Sequence, residues 1–410
     1  MDSLEGELRE ETGKNNLPGT MLAATNLDGT FNYESYFGKA SLKPDAKPVS
    51  GATTFCIASA TKLATSVAAM QCVERGLIGL DDDVTTVLPE LKDIQIFTRI
   101  EDGKPVMEKA QNTITLSHLL SHTSGLASIE DEQIMEYYQA IGDPKGTLLM
   151  RYFVTEDEEV RAKALPEVQH AMENLSLEPL LFEPGTAWNY GQSTDWAGQL
   201  IERLTHQSLE SYCQTNIFGP LSMKSTTFRP ADHPHILENL MPMAWRNKDG
   251  TIKNEASIYP LAPKVELGGS GLYTCAPDYL AFLTSLLRND GKVLKPETVD
   301  LMFNYRIPDE SIMESEKVKG FFDWGAHPDD VGTEYDHCLC GLVNLKDMKT
   351  GKKAGSVRWG GGTKSFWWVD RAGGVCGFYG TQILGMAEKL SGEMYRKFQI
   401  AVYDQIDATK

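Results

Sequence analysis

Predicted strands lie at the two ends of this chain, and helical patterns fill the middle. Near the N-terminus, Thr20–Asn26 and Thr30–Phe37 are separated by Asp28-Gly29, a strong hairpin signal. After about residue 336, short β-rich runs separated by glycine-rich or polar turns predict an antiparallel meander. These runs are Leu339–Leu345, Ser356–Trp359, Phe366–Val369 and Val375–Tyr379. The simplest compact arrangement pairs the hairpin with the meander in one sheet.

This order of elements predicts an α+β fold, with the antiparallel sheet flanked by terminal helices near residues 4–15 and 381–403. We expect one unit over residues 1–410, with a sheet lobe from 1–55 and 336–410 and a mainly helical lobe from 56–335. Ser59–Arg75 is a helix pattern that ends at Gly76. Residues 128–182 are charged and irregular, so we expect them to cover a pocket or to form a solvated excursion.

The charge and motif content exclude several classes of protein. A net charge of −18 argues against nucleic acid and gives no reason to expect an anionic membrane surface. The acidic N-terminus and seven scattered cysteines favour a cytoplasmic protein with reduced thiols. Because the chain has no phosphate loop, dinucleotide fingerprint or zinc-ligand spacing, we expect neither a cofactor nor a metal. It also lacks the Gly-x-Ser-x-Gly of α/β-hydrolases.

Ser59-Ala60-Thr61-Lys62 is the stretch that carries chemistry. On a helix, residues three apart share a face, so the Lys62 amine would lie beside the Ser59 hydroxyl. That pairing can make a serine nucleophilic without a histidine. A serine at the start of a helix is more often a plain cap, and about one chance match is expected in a chain of this size. The motif therefore depends on its context.

The context is a series of segments in a fixed order. The segments are CIASATKLATSVAAMQCVERGLIGLDDDV, TLSHLLSHTSGL, FEPGTAWNYGQSTDWAGQLIERLTHQSLESYCQTNIFGPLSMKSTTF, GGSGLYTCAPDYLAFLTSLL and VRWGGGTKSFWWVD. In order and spacing, they resemble the serine β-lactamase and penicillin-binding-protein superfamily. The resemblance is greatest to its class C-like esterases and acyltransferases, including a fungal side-chain acyltransferase, and it runs over nearly the whole chain.

The resemblance implies three catalytic residues. Ser59 matches the acylated serine, Lys62 the motif lysine, and Tyr190 the tyrosine that acts as general base. Because a free phenol titrates near 10, Lys62 must favour the phenolate. Gln192 stands where the family usually has asparagine, which we interpret as an altered substrate contact. His118 and His122 lie in a shared motif and are expected to stabilise a turn rather than to react.

The third motif of the family is a lysine-threonine-glycine edge strand. The literal Lys349-Thr350-Gly351 lies in a run of charges, so we interpret it as a turn. The better match is the segment from Trp359 to Gly362, whose glycines allow close approach of an acyl group. The resemblance implies an oxyanion hole formed by the N–H groups of Ser59 and of Gly362 or Gly361.

Trp359 replaces the motif lysine, which argues against efficient β-lactam hydrolysis and favours an apolar ligand. The residues predicted to contact substrate are Trp359, Gly360, Gln192, Trp188, Trp324 and Phe366. Core packing is the alternative for the aromatic ones.

The leading function is a serine acyltransferase with a Ser59 acyl-enzyme. The predicted partners are a thioester or ester donor, with an acyl carrier protein as one candidate, and a small hydrophobic alcohol or amine as acceptor. A dense basic cluster would suit an acidic carrier protein; it comprises Lys346, Lys349, Lys352, Lys353 and Arg358. The alternatives are a carboxylesterase that uses the same residues and a catalytically silent binding protein.

Overall fold

A seven-stranded antiparallel sheet joins the two ends of the chain. The computed structural model describes residues 1–128, 131–143, 152, 157–315, 318, 334–385 and 388–408. The strands, in spatial order, are β2 (Asn32–Phe37), β1 (Thr20–Asn26), β13 (Val375–Gly380), β12 (Ser365–Asp370), β11 (Val357–Gly361), β10 (Leu342–Asn344) and β9 (Tyr335–His337). The N-terminal hairpin pairs with the meander through β1 and β13, with Leu22 opposite Tyr379. The predicted α+β sheet is therefore confirmed.

Successive side chains on the central strands point to opposite faces of the sheet, and both faces are buried. Met21 and Ala23 of β1 face the helical core, whereas Leu22 and Ala24 pack toward the terminal helices. Those helices are α1 (Asp2–Gly13) and α11 (Leu390–Ala408).

The start of the last helix was predicted too early. The segment before α11 forms the short strand β14 (Ile383–Leu384), and Thr381 and Gln382 bind backbone carbonyls of Gly19 and Cys56. These long-range bonds hold the chain extended where local propensity favoured a helix.

Helices form most of the regular secondary structure between the sheet segments. They are α2 (Lys62–Glu74), α3 (Leu116–Ser121), α4 (Glu132–Ile141), α5 (Glu158–Glu173), α6 (Ser193–Thr205), α7 (Leu209–Cys213), α8 (Pro234–Leu237), α9 (Ala276–Arg288) and α10 (Pro296–Asn304). Helix α2 is buried at every position from Lys62 to Cys72. It is thus the central helix of this region, and it lies within the predicted Ser59–Arg75 helix. Within the described residues, no helix combines the length and apolarity needed to cross a membrane.

Short strands also occur where the sequence predicted none. They are β3 (Phe55–Cys56), β4 (Gln95–Glu101), β5 (Lys104–Lys109), β6 (Met243–Arg246), β7 (Ile252–Glu255) and β8 (Tyr273–Thr274). Strands β4 and β5 form a hairpin whose turn, Asp102-Gly103, has positive φ at both residues. This is the same turn signal that identified the N-terminal hairpin, and here the charged strands obscured it. The division into two lobes and the covering role of residues 128–182 remain predictions.

Candidate active site

Ser59 lies on a tight turn rather than inside the predicted helix. Residues Ala58–Thr61 form a 3₁₀ turn directly before α2. Ala58 has φ 44°, in the left-handed region that residues with a Cβ rarely adopt. The Thr61 hydroxyl donates to the Ala58 carbonyl at 2.6 Å, and the buried Tyr279 phenol donates to the Ala60 carbonyl at 2.8 Å. The turn is therefore fixed, and Ser59 is its partly exposed residue.

Tyr190 reaches Ser59 from a loop in the middle of the chain. Its phenol donates a hydrogen bond to Ser59 Oγ at 2.6 Å. The preceding residue, Asn189, donates its backbone N–H to the His122 carbonyl at 3.0 Å, which anchors the loop beside α3. Two residues 131 positions apart are thus within the distance that proton transfer requires.

Lys62 is buried beside the same phenol. Its ammonium lies 4.6 Å from the centre of the Tyr190 ring and donates to the Gly269 carbonyl at 2.9 Å. Gly268 and Gly269 lie in a glycine-rich loop, and both are packed tightly. A Cβ on Gly268 would lie 2.8 Å from the Thr194 carbonyl oxygen, so only glycine fits. The loop is a fixed hydrogen-bond acceptor for the lysine.

The Trp359–Gly362 segment lies against the Ser59 turn. A Cβ on Gly361 would overlap the carbonyl oxygen of Ile57, whereas a Cβ on Gly362 would meet nothing within 4 Å. Gly361 thus allows close packing, and Gly362 borders open space. The literal Lys349-Thr350-Gly351 lies elsewhere, since Gly351 packs against the Tyr403 ring of α11.

Aromatic rings surround the Tyr190 phenol. The Tyr190 ring centre lies 5.5 Å from that of Trp359, 6.5 Å from Trp188 and 4.9 Å from His122. His337 of β9 joins the group at 5.4 Å from Trp359. The structure brings together Trp188 and Trp359, two residues predicted for substrate contact, with Tyr190.

Two buried histidines at this site were missed as site residues. His122 ends α3 in a left-handed conformation, so it does stabilise a turn, but its ring also packs on Tyr190. Burial lowers the pKa of His337 to about 4, and the nearby Lys62 charge acts in the same direction. Burial also holds the pKa of His122 well below its usual value, with added repulsion from His337 and Lys62. Both rings are therefore neutral near pH 7. No local sequence pattern marks His337.

Other residues predicted for substrate contact lie differently. Phe366 is on the opposite face of the sheet, stacked 4.8 Å from Tyr395 of α11, because alternation along β12 turns it away from Trp367. That prediction is therefore wrong. Gly360 pairs with Phe366 in the sheet, and Gln192 donates its amide to Ser176 Oγ at 2.8 Å. Trp324 lies outside the described residues.

The chain is similar to known proteins over nearly its whole length. A family model described as Beta-lactamase matches residues 2–400. The chain is 30% identical to monacolin J acid methylbutanoyltransferase of Aspergillus terreus, over 98% of this chain and 95% of that protein. It is 31% identical to lovastatin esterase of Penicillium rubens, over 98% and 97%. A mutant simvastatin synthase from Aspergillus terreus superposes with a TM-score of 0.87 at 30% identity, covering 99% of this chain and 97% of that one.

Proposed function

This chain belongs to the Beta-lactamase family and is a serine acyltransferase of secondary metabolism, and we propose that it carries the acyl group on Ser59. The donor is a thioester or ester, and the acceptor is a hydroxyl or amine of a hydrophobic small molecule. The observation that carries the proposal is the 2.6 Å hydrogen bond between Tyr190 and Ser59, beside a buried lysine.

Acylation begins with a proton transfer. A cation beside a phenol favours the phenolate, and Lys62 supplies that cation. The Tyr190 phenolate takes the Ser59 proton as Ser59 Oγ attacks the donor carbonyl. The resulting oxyanion is bound by the N–H groups of Ser59 and of Gly362 or Gly361. Collapse breaks the carbon–sulfur or carbon–oxygen bond, and the leaving group takes the proton from Tyr190.

Transfer to the acceptor repeats these steps in reverse. The acceptor hydroxyl gives its proton to Tyr190 and attacks the Ser59 ester, and collapse returns a proton to Ser59 Oγ. Trp359 and Trp188 supply an apolar wall beside Tyr190, which suits a hydrophobic acceptor. The relative named for methylbutanoyl transfer suggests a short branched acyl group.

Ester hydrolysis is the second candidate, because a relative of similar identity is named as an esterase. Water would then replace the acceptor on the same Ser59 ester. The two reactions differ in how far the site excludes water while the acceptor is bound. An acceptor-dependent partition ratio, measured with one activated ester, separates them.

An acyl carrier protein as donor is a further part of the proposal. The basic cluster suggested for its docking has fewer exposed charges than the sequence implied, because Lys352 is buried and directed toward Gln399. Lys346 and Lys353 are exposed but pair with Glu334 and Asp347. The cluster lies near Val357 of β11. Gly361 is four residue steps of about 3.3 Å further along that strand, roughly 13 Å away.

Charge reversal tests the docking. We expect the triple variant K346E/K349E/K353E to slow acylation by a carrier-bound donor severalfold, with no effect on a small thioester of the same acyl group. These lysines are exposed, so the fold should tolerate the change. Equal slowing with both donors, or with neither, would exclude carrier docking at this cluster.

Intact mass measurement tests the proposed function itself. Wild-type protein is incubated with a series of acyl thioesters, and the expected result is a mass increase of one acyl group that is absent in Ser59→Ala. A chase with candidate alcohols should then remove the acyl group and yield the ester product, in a ping-pong sequence. If no activated ester or fluorophosphonate labels the wild-type protein, the acyl-enzyme is refuted and the binding-protein alternative is favoured.

A further inference from the structure

Asp195 is linked to Lys62 through one glycine. Its carboxylate accepts the Gly269 backbone N–H at 2.8 Å, and the Gly269 carbonyl accepts the Lys62 ammonium at 2.9 Å. The fit is close, since a Cβ on Gly269 would lie 2.7 Å from an Asp195 carboxylate oxygen. Asp195 thus anchors the backbone of the residue whose carbonyl accepts the lysine.

The charges around Lys62 give this contact a second effect. The titratable groups that face Lys62 are Asp195 from α6, Tyr190 from its loop, His122 from the end of α3 and His337 from β9. The two imidazoles are neutral near pH 7, so they add no second positive charge beside Lys62, and an imidazole cannot balance the charge of the lysine. Asp195 is an acidic group with an electrostatic interaction with Lys62. It retains some accessible surface, yet the protein packed around its carboxylate raises the pKa, and the Lys62 charge and the Gly269 N–H oppose that rise.

The position of Asp195 in the chain couples it to the proposed base. It lies in the first turn of α6, where a carboxylate is favoured by the helix dipole. Tyr190 is five residues earlier, three residues before this helix begins. The start of one helix and the residues just before it therefore position both the Tyr190 phenol, which contacts Ser59, and the Asp195 carboxylate, which faces Lys62.

We propose that Asp195 is a positioning residue, which holds the Gly269 carbonyl on Lys62 and keeps that lysine charged beside Tyr190. The inference rests on the proposed function, because it acts through Lys62 and Tyr190. An opposite charge within a few ångströms favours the charged form of a lysine. Without Asp195, the Lys62 ammonium loses its nearby acidic group and favours the phenolate less, so acylation fails earlier on the alkaline side.

The test separates charge from shape. Asp195→Asn retains an oxygen for the Gly269 N–H and removes the charge, whereas Asp195→Glu retains the charge and displaces the hydrogen bond. Asp278→Asn is the matched control, since Asp278 also lies in the first turn of a helix, accepts a backbone N–H at 2.7 Å, from Ser225, and has a pKa raised by burial. The value of kcat/KM for a nitrophenyl butyrate ester is measured from pH 6 to 10, and Ser59 labelling by a fluorophosphonate is measured in parallel.

We expect Asp195→Asn to lower kcat/KM about tenfold at pH 8 and to move the alkaline limb down by about one pH unit, the lower end of the effect of one close charge. We expect Asp195→Glu to lower the rate without moving that limb, and Asp278→Asn to change neither. An unmoved limb in Asp195→Asn, or equal movement in Asp195→Glu, overturns the inference. If Asp195→Asn does not fold, the alkaline limb of the kcat/KM profile of Asp195→Glu is the deciding measurement. A shift of that limb overturns the inference, and an unshifted limb supports it. Failure of Ser59 labelling in wild-type protein would instead refute the proposed function.

Discussion

Removing the Tyr190 hydroxyl is the sharpest test of the proposed chemistry. Tyr190→Phe retains the ring that packs between Lys62, His122 and Trp359, so the walls of the site are preserved. It removes the oxygen that lies 2.6 Å from Ser59 Oγ. A positioned general base contributes about 10²- to 10⁴-fold to the rate. At about 1.4 kcal/mol per factor of ten, the barrier should rise by about 3–5 kcal/mol.

Tyr279 offers a matched control on the same turn. Its phenol donates to the Ala60 carbonyl, one residue from Ser59, and it is fully buried. Tyr279→Phe removes an equivalent hydroxyl and leaves a buried carbonyl without that donor, at a cost of about 1–3 kcal/mol in stability. We therefore expect the two variants to differ in kind. Tyr190→Phe should lose acylation and retain its stability, whereas Tyr279→Phe should lose stability and lose far less of its acylation rate than Tyr190→Phe.

The assay is the rate of acyl-enzyme formation, followed by intact mass or by the release of nitrophenol from an activated ester. Urea unfolding of each variant supplies the free energy of unfolding. The reasoning would be refuted if Tyr190→Phe formed the acyl-enzyme within threefold of the wild-type rate. It would also be refuted if Tyr279→Phe lost as much rate as Tyr190→Phe, because the two hydroxyls would then act only through the shape of the turn.

Two further predictions follow from the same geometry. Gly361→Ala should lose at least tenfold in acylation rate and melt at a lower temperature, because its Cβ would overlap the Ile57 carbonyl oxygen. Gly362→Ala has open space around the added Cβ and should melt like the wild type. Equal melting temperatures for the two variants would contradict this prediction. Burial lowers the pKa of His337 to about 4, against 6.5 for the free side chain, so the unfolded chain binds more protons between these values. The wild-type free energy of unfolding should therefore fall by about 3 kcal/mol more than that of His337→Asn between pH 7 and pH 4, and parallel pH curves from urea unfolding would exclude a neutral buried imidazole.

Much of the framework could be read from the sequence because its signals are local. The Asp28-Gly29 turn and the β-rich runs after residue 336 indicated the two halves of the sheet, and the family motifs placed Ser59, Lys62 and Tyr190 in order along the chain. The hydrogen bond between Ser59 and Tyr190 follows once the two motifs that contain them are placed in the same site.

The errors came from information that lies in other parts of the chain. Alternation along β12 shows that Phe366 and Trp367 face opposite sides of the sheet, but only the pairing of Trp367 with Trp359 reveals which side holds the site. His337 lies on a three-residue strand without a periodic pattern, so its place beside Trp359 depends on tertiary packing alone. In the sequence, Asp195 is an ordinary acidic residue in the first turn of a helix, and only the fold places Gly269 against it.

The conformation of Ala58 explains why these distant segments matter to Ser59. A residue with a Cβ at positive φ costs about 1–3 kcal/mol and persists only where the surrounding structure determines it. At Ala58 that structure is the Ile57 N–H bond to the Leu272 carbonyl, the Tyr279 phenol on the Ala60 carbonyl and the close approach of Gly361. Alanine gives no sequence signal for this conformation, since glycine is the residue that usually marks it. The turn is thus set by contacts within the protein itself, which is the condition for an oxyanion site to act without reorganising during the reaction.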